Sequence, residues 1–375
     1  MLRMVFWLSV FGVVYPYLGY PILLWVLGLF FRRPDARNGD SPLPSISMIV
    51  PVHNEEKVIV RKVHNTAALQ YPRERLEVVF VSDGSTDRTN QLVRQHATPS
   101  MSVVELAHRG GKAAALNEGL TRVTHEIVVF SDASIDLQPG ALQQLVRPFA
   151  DSRVGCVSGE DRIAGGGGEA LYGRYELLLR RLESRTASIV GASGSFYAQR
   201  RALCGPFTAG MAPDFLSVLR TVEQGFRAVS EPRAVGTMSS LREPRREFER
   251  KVRTVLRGMT TLFANGRLMN PLRFGPFSFM LVSHKLVRWL VPFFLGSAMI
   301  SAAALSDSPW YLSAFLAQVL FYFVAVAGSA RWAGLDRTLA GRAAVYFATV
   351  HGAMCVAWIE YLRGARQELW APSRR

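Results

Sequence analysis

Four acidic residues stand where apolar runs stop or a helix begins. Glu55 follows "ISMIVPV", Asp83 closes "LEVVFVSD", Asp132 closes "EIVVFSD", and Asp214 opens "APDFLSVLRTVEQGF". Carboxylates so placed can accept hydrogen bonds from a base or ribose, ligate a hard cation, or take a proton as a general base. Each also has a plain structural use. Asp83 before Gly84 and Ser85 suits a turn or cap, and Asp214 suits a helix start. Ser134 stands two positions after Asp132, where a second carboxylate would complete a metal clamp, and Asp136 is the nearby acid that could substitute.

Cations recur beside these acids. "HRGGKAAALNEGL" sets Gly110 and Gly111 before a helical pattern with Lys112 in its first turn. Backbone N–H groups at a helix start attract phosphate, and Lys112 adds a point charge, although a surface lysine gives the same pattern. In "REFERKVRTVLRGM", Arg246, Arg250, Arg253 and Arg257 recur at helical spacing. Such a face can neutralise a diphosphate leaving group or rest on anionic headgroups.

The elements that must position these groups are strands alternating with helices. Short β-rich runs, "ISMIVPV", "LEVVFVSD", "SVVELA" and "EIVVFSD", are separated by helical patterns over Glu55 to Leu69, Asp87 to His96 and Gly111 to Arg122. The alternation predicts an α/β domain over residues 42–265, a mostly parallel sheet with helices on both faces. Ligands of such sheets bind beyond the carboxyl ends of the strands, where His53, Asn54, Glu55, Asp83 and Asp132 stand. A dinucleotide-binding fold is excluded, because "PVHNEE" replaces the glycine fingerprint after the first strand.

Both ends of the chain predict membrane. Val5 to Phe31 is apolar, uncharged and closed by Arg32 and Arg33, longer than a signal peptide's core and without a cleavage site. Residues 1–33 are read as an anchor, with the following domain cytosolic by the positive-inside rule. Residues 271–290, with His284, Lys285 and Arg288 among Phe, Leu and Trp, suit an amphipathic segment in the interface or a core helix. Residues 291–365 hold about three candidate spans. One early and three late spans would put the basic tail "RGARQELWAPSRR" outside, against that rule. A charge of +15 with positive mean hydropathy fits a membrane protein facing anionic lipid or substrate better than a nucleic-acid binder. The three scattered cysteines indicate neither zinc nor a disulfide framework.

Taken in order, "IVPVHNEE", "VSDGSTDRT", "GGKAAALNEGL", "VVFSDASI", "GASGSFYAQRR", "PDFLSVLRTVEQGFRAV" and "FERKVRTVLRG" resemble the membrane-embedded glycosyltransferase family 2. That group includes cellulose, hyaluronan and poly-N-acetylglucosamine synthases, and the resemblance covers roughly residues 42–300. It implies a GT-A fold between transmembrane helices, a nucleotide-sugar donor, in particular a UDP-sugar, and Mg²⁺ or Mn²⁺. It also implies inversion at the anomeric carbon. By position Pro51, His53, Glu55 and Asp83 would hold the nucleoside, and Lys112 would sit near the donor. Asp132 would meet metal and diphosphate. Asp214 would be the base, and Arg253, with Arg250, would lie on the diphosphate and acceptor side. The implied place of work is a bacterial inner or plasma membrane, in cell-surface or exported polysaccharide synthesis.

Two departures bear on the acceptor. The family's Gln-x-x-Arg-Trp motif reads Arg250-Lys251-Val252-Arg253-Thr254 here, without Gln or Trp, and Pro213 stands where many members have an acid before the base. The missing Trp weakens the case for a long-chain polymerase. Transfer of one sugar to a polyprenyl-phosphate or lipid-linked acceptor is the nearest alternative, and a catalytically silent subunit binding nucleotide sugar or polymer is a further one. With Ser134 beside Asp132, part of the metal's coordination must come from the diphosphate and water, so metal binding should be weak without donor. The "AGGGGE" run at Gly165 to Gly168 is a loop near the acceptor side or a linker.

Overall fold

Every residue of Ile46–Val52 (β1) is buried, so this strand must be covered on both faces. A computed structural model describes residues 1–30, 42–164, 168–239 and 244–367; Arg32, Arg33, most of the glycine run and the end of the basic tail lie outside the described residues. After the helix Leu2–Phe30 (α1) and β1 come Ile59–Ala67 (α2), Leu76–Asp83 (β2), Thr89–His96 (α3), Met101–Leu106 (β3), Gly111–Arg122 (α4) and Ile127–Ser131 (β4). There follow Asp136–Leu137 (β5), Ala141–Val146 (α5), Val154–Ala164 (β6), Gly168–Thr186 (α6), Phe196–Arg200 (β7), Pro213–Glu223 (α7) and Arg227–Ser239 (β8). The chain ends in Pro244–Ala264 (α8) and three apolar helices, Pro276–Ala304 (α9), Pro309–Ser329 (α10) and Leu339–Leu362 (α11).

The strands form one sheet in the order β3-β2-β1-β4-β7-β6-β8-β5. Pairs β1/β2, β1/β4, β2/β3 and β6/β8 are parallel, while β7 runs antiparallel to both β4 and β6. Alternation along each strand sends side chains to opposite faces. Met48 and Val50 pack with Ile59 and Val63 of α2, while Ile49 packs with Ala115 and Leu116 of α4. This second core is continuous with the apolar helices, since Tyr20, Leu24, Met280, Leu281 and Met354 belong to it.

Four helices are long and apolar enough to cross a membrane among the described residues: α1, α9, α10 and α11. Two of them contain a π-turn, Tyr15–Gly19 in α1 and Val282–Val287 in α9, and the turns meet where the Tyr15 hydroxyl and Ser283 Oγ lie 2.8 Å apart. The segment expected to lie in the interface joins α9 instead, and its basic residues turn inward. His284 and Arg288 are 3 % and 4 % exposed. The reason is charge pairing, because α6 presents Glu176 to Arg288 and to His284 Nε2 (3.2 Å), and Glu183 to His284 Nδ1 (2.6 Å). Buried charges persist only when paired in this way.

Candidate active site

Beyond the carboxyl ends of β1 and β4 opens a cavity of about 480 Å³, lined by residues of the sheet domain and of α6, α8, α9 and α11. It brings together Glu55, Lys112, Asp132, Asp214, Arg250 and Arg253. Pro51 joins Lys112, Asp132 and Asp214 around a small side recess.

His53 and Asp83 line neither space. Asp83 has no exposed surface, and its two oxygens accept the backbone N–H groups of Gly110 (2.6 Å) and Gly111 (2.9 Å). The His53 ring lies 2.6 Å from the Asp83 carbonyl. Both side chains fix the loops that follow β1 and β2 and precede α4. Gly84 is required at this junction: its φ is +60°, and a Cβ would lie 2.8 Å from Arg109 N. Asn54, at φ +52°, ties the two loops through its Oδ1, which accepts from Thr86 N (2.8 Å).

The Asp132 carboxylate faces the cavity and accepts from Lys112 Nζ at 2.5 Å, while Lys112 also reaches the Gly194 carbonyl at 3.1 Å. A cation thus already stands at the oxygen expected to meet the metal. Ser134 lines the cavity beside it, whereas Asp136 turns aside to Arg61 (3.3 Å). No group of three or more His, Cys, Asp or Glu side chains able to hold a metal occurs among the described residues. The donor set fits a divalent cation that takes one carboxylate from the protein and the rest of its shell from phosphate and water.

Asp214 sits in the first turn of α7, after Pro213. Its carboxylate makes no hydrogen bond or ion pair to another described residue, and it lies 3.9 Å from where a Cβ on Gly194 would stand. The loop before it is gripped by α8. Thr261 Oγ1 accepts from Ala212 N (2.9 Å), and Arg257 donates to the Met211 carbonyl through Nε (3.1 Å) and Nη2 (2.7 Å). An unpaired carboxylate on a fixed loop in a cleft is a competent general base.

The arginines of α8 divide. Arg250 is held by Glu169 (2.6 Å), and Lys251 donates to Tyr346 of α11 (3.0 Å). Arg253 lines the cavity without a hydrogen bond or ion pair among the described residues. Burial lowers the affinity of Arg257 for its proton, against which Asp214 and then Asp132 act, so this guanidinium lies within electrostatic reach of both acids.

Two further residues carry no sequence assignment. Lys62, with no exposed surface, donates to Ser131 Oγ (2.8 Å) and the Ile135 carbonyl (2.9 Å), stapling the Asp132 loop from below. Its signal is a lysine on the buried stripe Ile59, Lys62, Val63, Thr66. Asp161 of β6 lines the cavity and accepts from Ser193 Oγ, which also receives Ser195 N and Phe196 N. Burial raises its carboxyl to about 6. Nothing in "SGEDRIA" separates Asp161 from its neighbours; only the fold brings it to the cavity.

The sequence model of glycosyl transferase family 2 matches residues 47–204. A beta-monoglucosyldiacylglycerol synthase of Synechocystis sp. is 36 % identical over 142 residues, 36 % of this chain and 29 % of that protein. The poly-beta-1,6-N-acetyl-D-glucosamine synthase of Staphylococcus aureus is 28 % identical over 161 residues, 38 % of each chain. The match thus spans about a third of the length of these curated relatives. Over the whole chain the fold is similar to the mannosyltransferase PcManGT from Pyrobaculum calidifontis, solved with GDP-Man and Mn²⁺. The TM-score is 0.74 at 25 % identity, covering 98 % of this chain and 100 % of that one.

Proposed function

From a glycosyl transferase family 2 domain at residues 47–204, we propose that the protein is an inverting membrane glycosyltransferase, moving a sugar from a nucleotide-sugar donor to a saccharide hydroxyl. The observation that carries this reading is the unpaired Asp214 carboxylate in one cavity with the Asp132–Lys112 pair and Arg253.

The acceptor hydroxyl gives its proton to Asp214 as its oxygen attacks the anomeric carbon from the face opposite the diphosphate. The bond to the diphosphate breaks, and the leaving group needs no proton if its charge is covered. Arg253, Arg257 and Lys112 supply fixed positive charge there. One carboxylate then suffices, unlike the two of a glycosidase. Asp132, with Ser134 beside it, would hold Mg²⁺ or Mn²⁺, which when bound adds charge neutralisation at the diphosphate. The loops fixed by His53, Asn54 and Asp83 flank the nucleoside. A UDP-sugar remains the donor expected from sequence, and a GDP-sugar is the second candidate because PcManGT was solved with GDP-Man. The apolar helices hold the domain at the cytosolic face of a membrane.

A panel of UDP- and GDP-sugars, read as release of nucleoside diphosphate in the presence of Mn²⁺ or Mg²⁺, tests the proposal. Turnover of at least one donor is expected. Asp214→Asn should cut kcat by roughly 10²–10⁴-fold while nucleotide still binds. Undiminished transfer by that variant would remove Asp214 as the base, and binding without turnover across acceptors would favour a silent subunit.

A further inference from the structure

The membrane-side end of the cavity holds two cations with no carboxylate partner. Arg180 of α6 reaches the Ala192 carbonyl at 3.4 Å. Lys285 Nζ lies 3.5 Å from where a Cβ on Gly191 would stand and 5.4 Å from the centre of the Phe215 ring. Neither forms an ion pair among the described residues, and Lys285 forms no hydrogen bond either. The acids around them are engaged elsewhere. Glu176 is bound to Arg288 and His284, Glu183 to His284 and Tyr20, and Asp161 to Ser193. A half-buried ammonium whose neighbouring acids, Glu176 and Glu183, already bind other groups is open to an anion from a ligand.

Three observations say what kind of anion. Lys285 stands in the π-turn of α9, an irregularity in a helix apolar enough to cross a membrane. The walls beside the cations are apolar, with Leu177, Trp289, Val350 and Met354 lining the same cavity. Finally, Gly191 precedes Gly194, which faces Asp214, by three residues. That stretch spans at most about 10 Å, so the cations and the base lie within reach of one sugar phosphate.

The geometry points to an acceptor that carries a phosphate on its membrane side. It is a sugar joined through phosphate to a lipid chain, with the phosphate on Arg180 and Lys285 and the sugar hydroxyl at Asp214. This rests on the reading of Asp214 as base. In the transfer, the carried sugar's oxygen bonds to the donor's anomeric carbon. The bond from that carbon to the diphosphate breaks, its electron pair leaves on the nucleoside diphosphate, and the proton passes to Asp214. The lipid phosphate is bound and is neither made nor cleaved.

The test is calorimetry on the full chain in phosphatidylcholine nanodiscs, titrated with farnesyl phosphate, farnesol and inorganic phosphate. Farnesyl phosphate should bind at least about tenfold more tightly than either, the size of a charge-assisted contact. Lys285→Met and Arg180→Met should each lose about tenfold, and Lys285→Arg should keep most of the affinity. Equal binding of farnesol would overturn the phosphate site, and equal binding of inorganic phosphate would overturn its lipid source. Unchanged affinity in Lys285→Met would overturn the assignment of Lys285. UDP and GDP titrated into the same preparations report the donor half separately. Loss of both there counts against the glycosyltransferase reading, while loss of farnesyl phosphate binding alone counts against this one.

Discussion

Lys62 has no exposed surface, and burial lowers it to about 7 against the partial opposition of Asp132 and Asp136. A folded-state value below the unfolded one means that the unfolded chain binds the extra proton above neutrality. The contribution to stability is therefore full above about 10.5 and is lost as pH falls through 7. Between pH 7 and 9 wild type should gain about 2 kcal/mol relative to Lys62→Met, read as the difference of their urea midpoints at the two pH values. A parallel response of the two proteins would show that Lys62 does not titrate there. The loop it staples carries the second residue prediction. With one carboxylate and a serine, Mn²⁺ alone should give no tight binding by calorimetry, and UDP or GDP should produce it. Tight Mn²⁺ binding without nucleotide would mean that the protein supplies more ligands than Asp132. At this scale the placing of Asp132 and Asp214 at one cavity was legible, because a strand end and a helix start are local features. The partners of His53 and Asp83 were not, because their hydrogen bonds run to backbone 27 to 30 residues away.

The elements show the same division. β1 to β4 and α4 could be read from apolar runs and helical spacing, since each announces itself within its own residues. The reversal at β7 could not. Five residues, Phe196–Arg200, say nothing of direction, and their antiparallel place between β4 and β6 is fixed by long-range pairing. Nor did spacing reveal what α8 does for the base. Its arginine face suits a diphosphate or anionic headgroups, yet Thr261, with no exposed surface, also accepts Ala212 N and donates to the Arg257 carbonyl (2.8 Å). Helix α8 therefore positions the Asp214 loop as well as any diphosphate. Thr261→Val keeps the shape and strands the Ala212 N–H, at a cost of about 1–3 kcal/mol. The expected result is a lowered midpoint in urea and a fall in kcat larger than any change in donor KM. A stability loss with kcat unchanged would make Thr261 a packing residue only.

Across the whole molecule, three helices run between the catalytic domain and a far end, and the fourth does not. Phe6 near the start of α1 packs with Ala302 of α9 and Tyr311 of α10, while Tyr15 and Tyr20, midway along α1, bond Ser283 and Glu183. Trp289 of α9 lies against Gly258 of α8, and Gly328 of α10 against Val345 of α11. Helix α11 packs on α10 near its start and on the catalytic domain and α8 from Tyr346 onward. Tyr346 meets Gly168 and Lys251, Ala353 and Ala357 pack with Val252 and Leu256, and Trp358 donates to the Trp289 carbonyl (2.9 Å). Beyond its end, Arg366 lies beside Gly210. A helix of 24 residues is about 36 Å long, and these contacts hold most of it, from Tyr346 onward, beside α8 and α9. These contacts predict three crossings, with α11 along the surface and the C-terminal residues on the catalytic side. The charges agree. Arg331, Arg337, Arg342, Arg363 and Arg366 then share the domain's side, and the α9–α10 turn, Leu305 to Ser308, has no Lys or Arg. With α11 along the surface the parity conflict in the sequence disappears, while its hydropathy equally permits a span. Single cysteines at Ser85, Asp307 and Arg366 in a chain lacking its own three, labelled with an impermeant maleimide in sealed vesicles, should fall into two groups. Positions 85 and 366 should react from one side and 307 from the other, whereas 366 labelling with 307 would establish a fourth crossing.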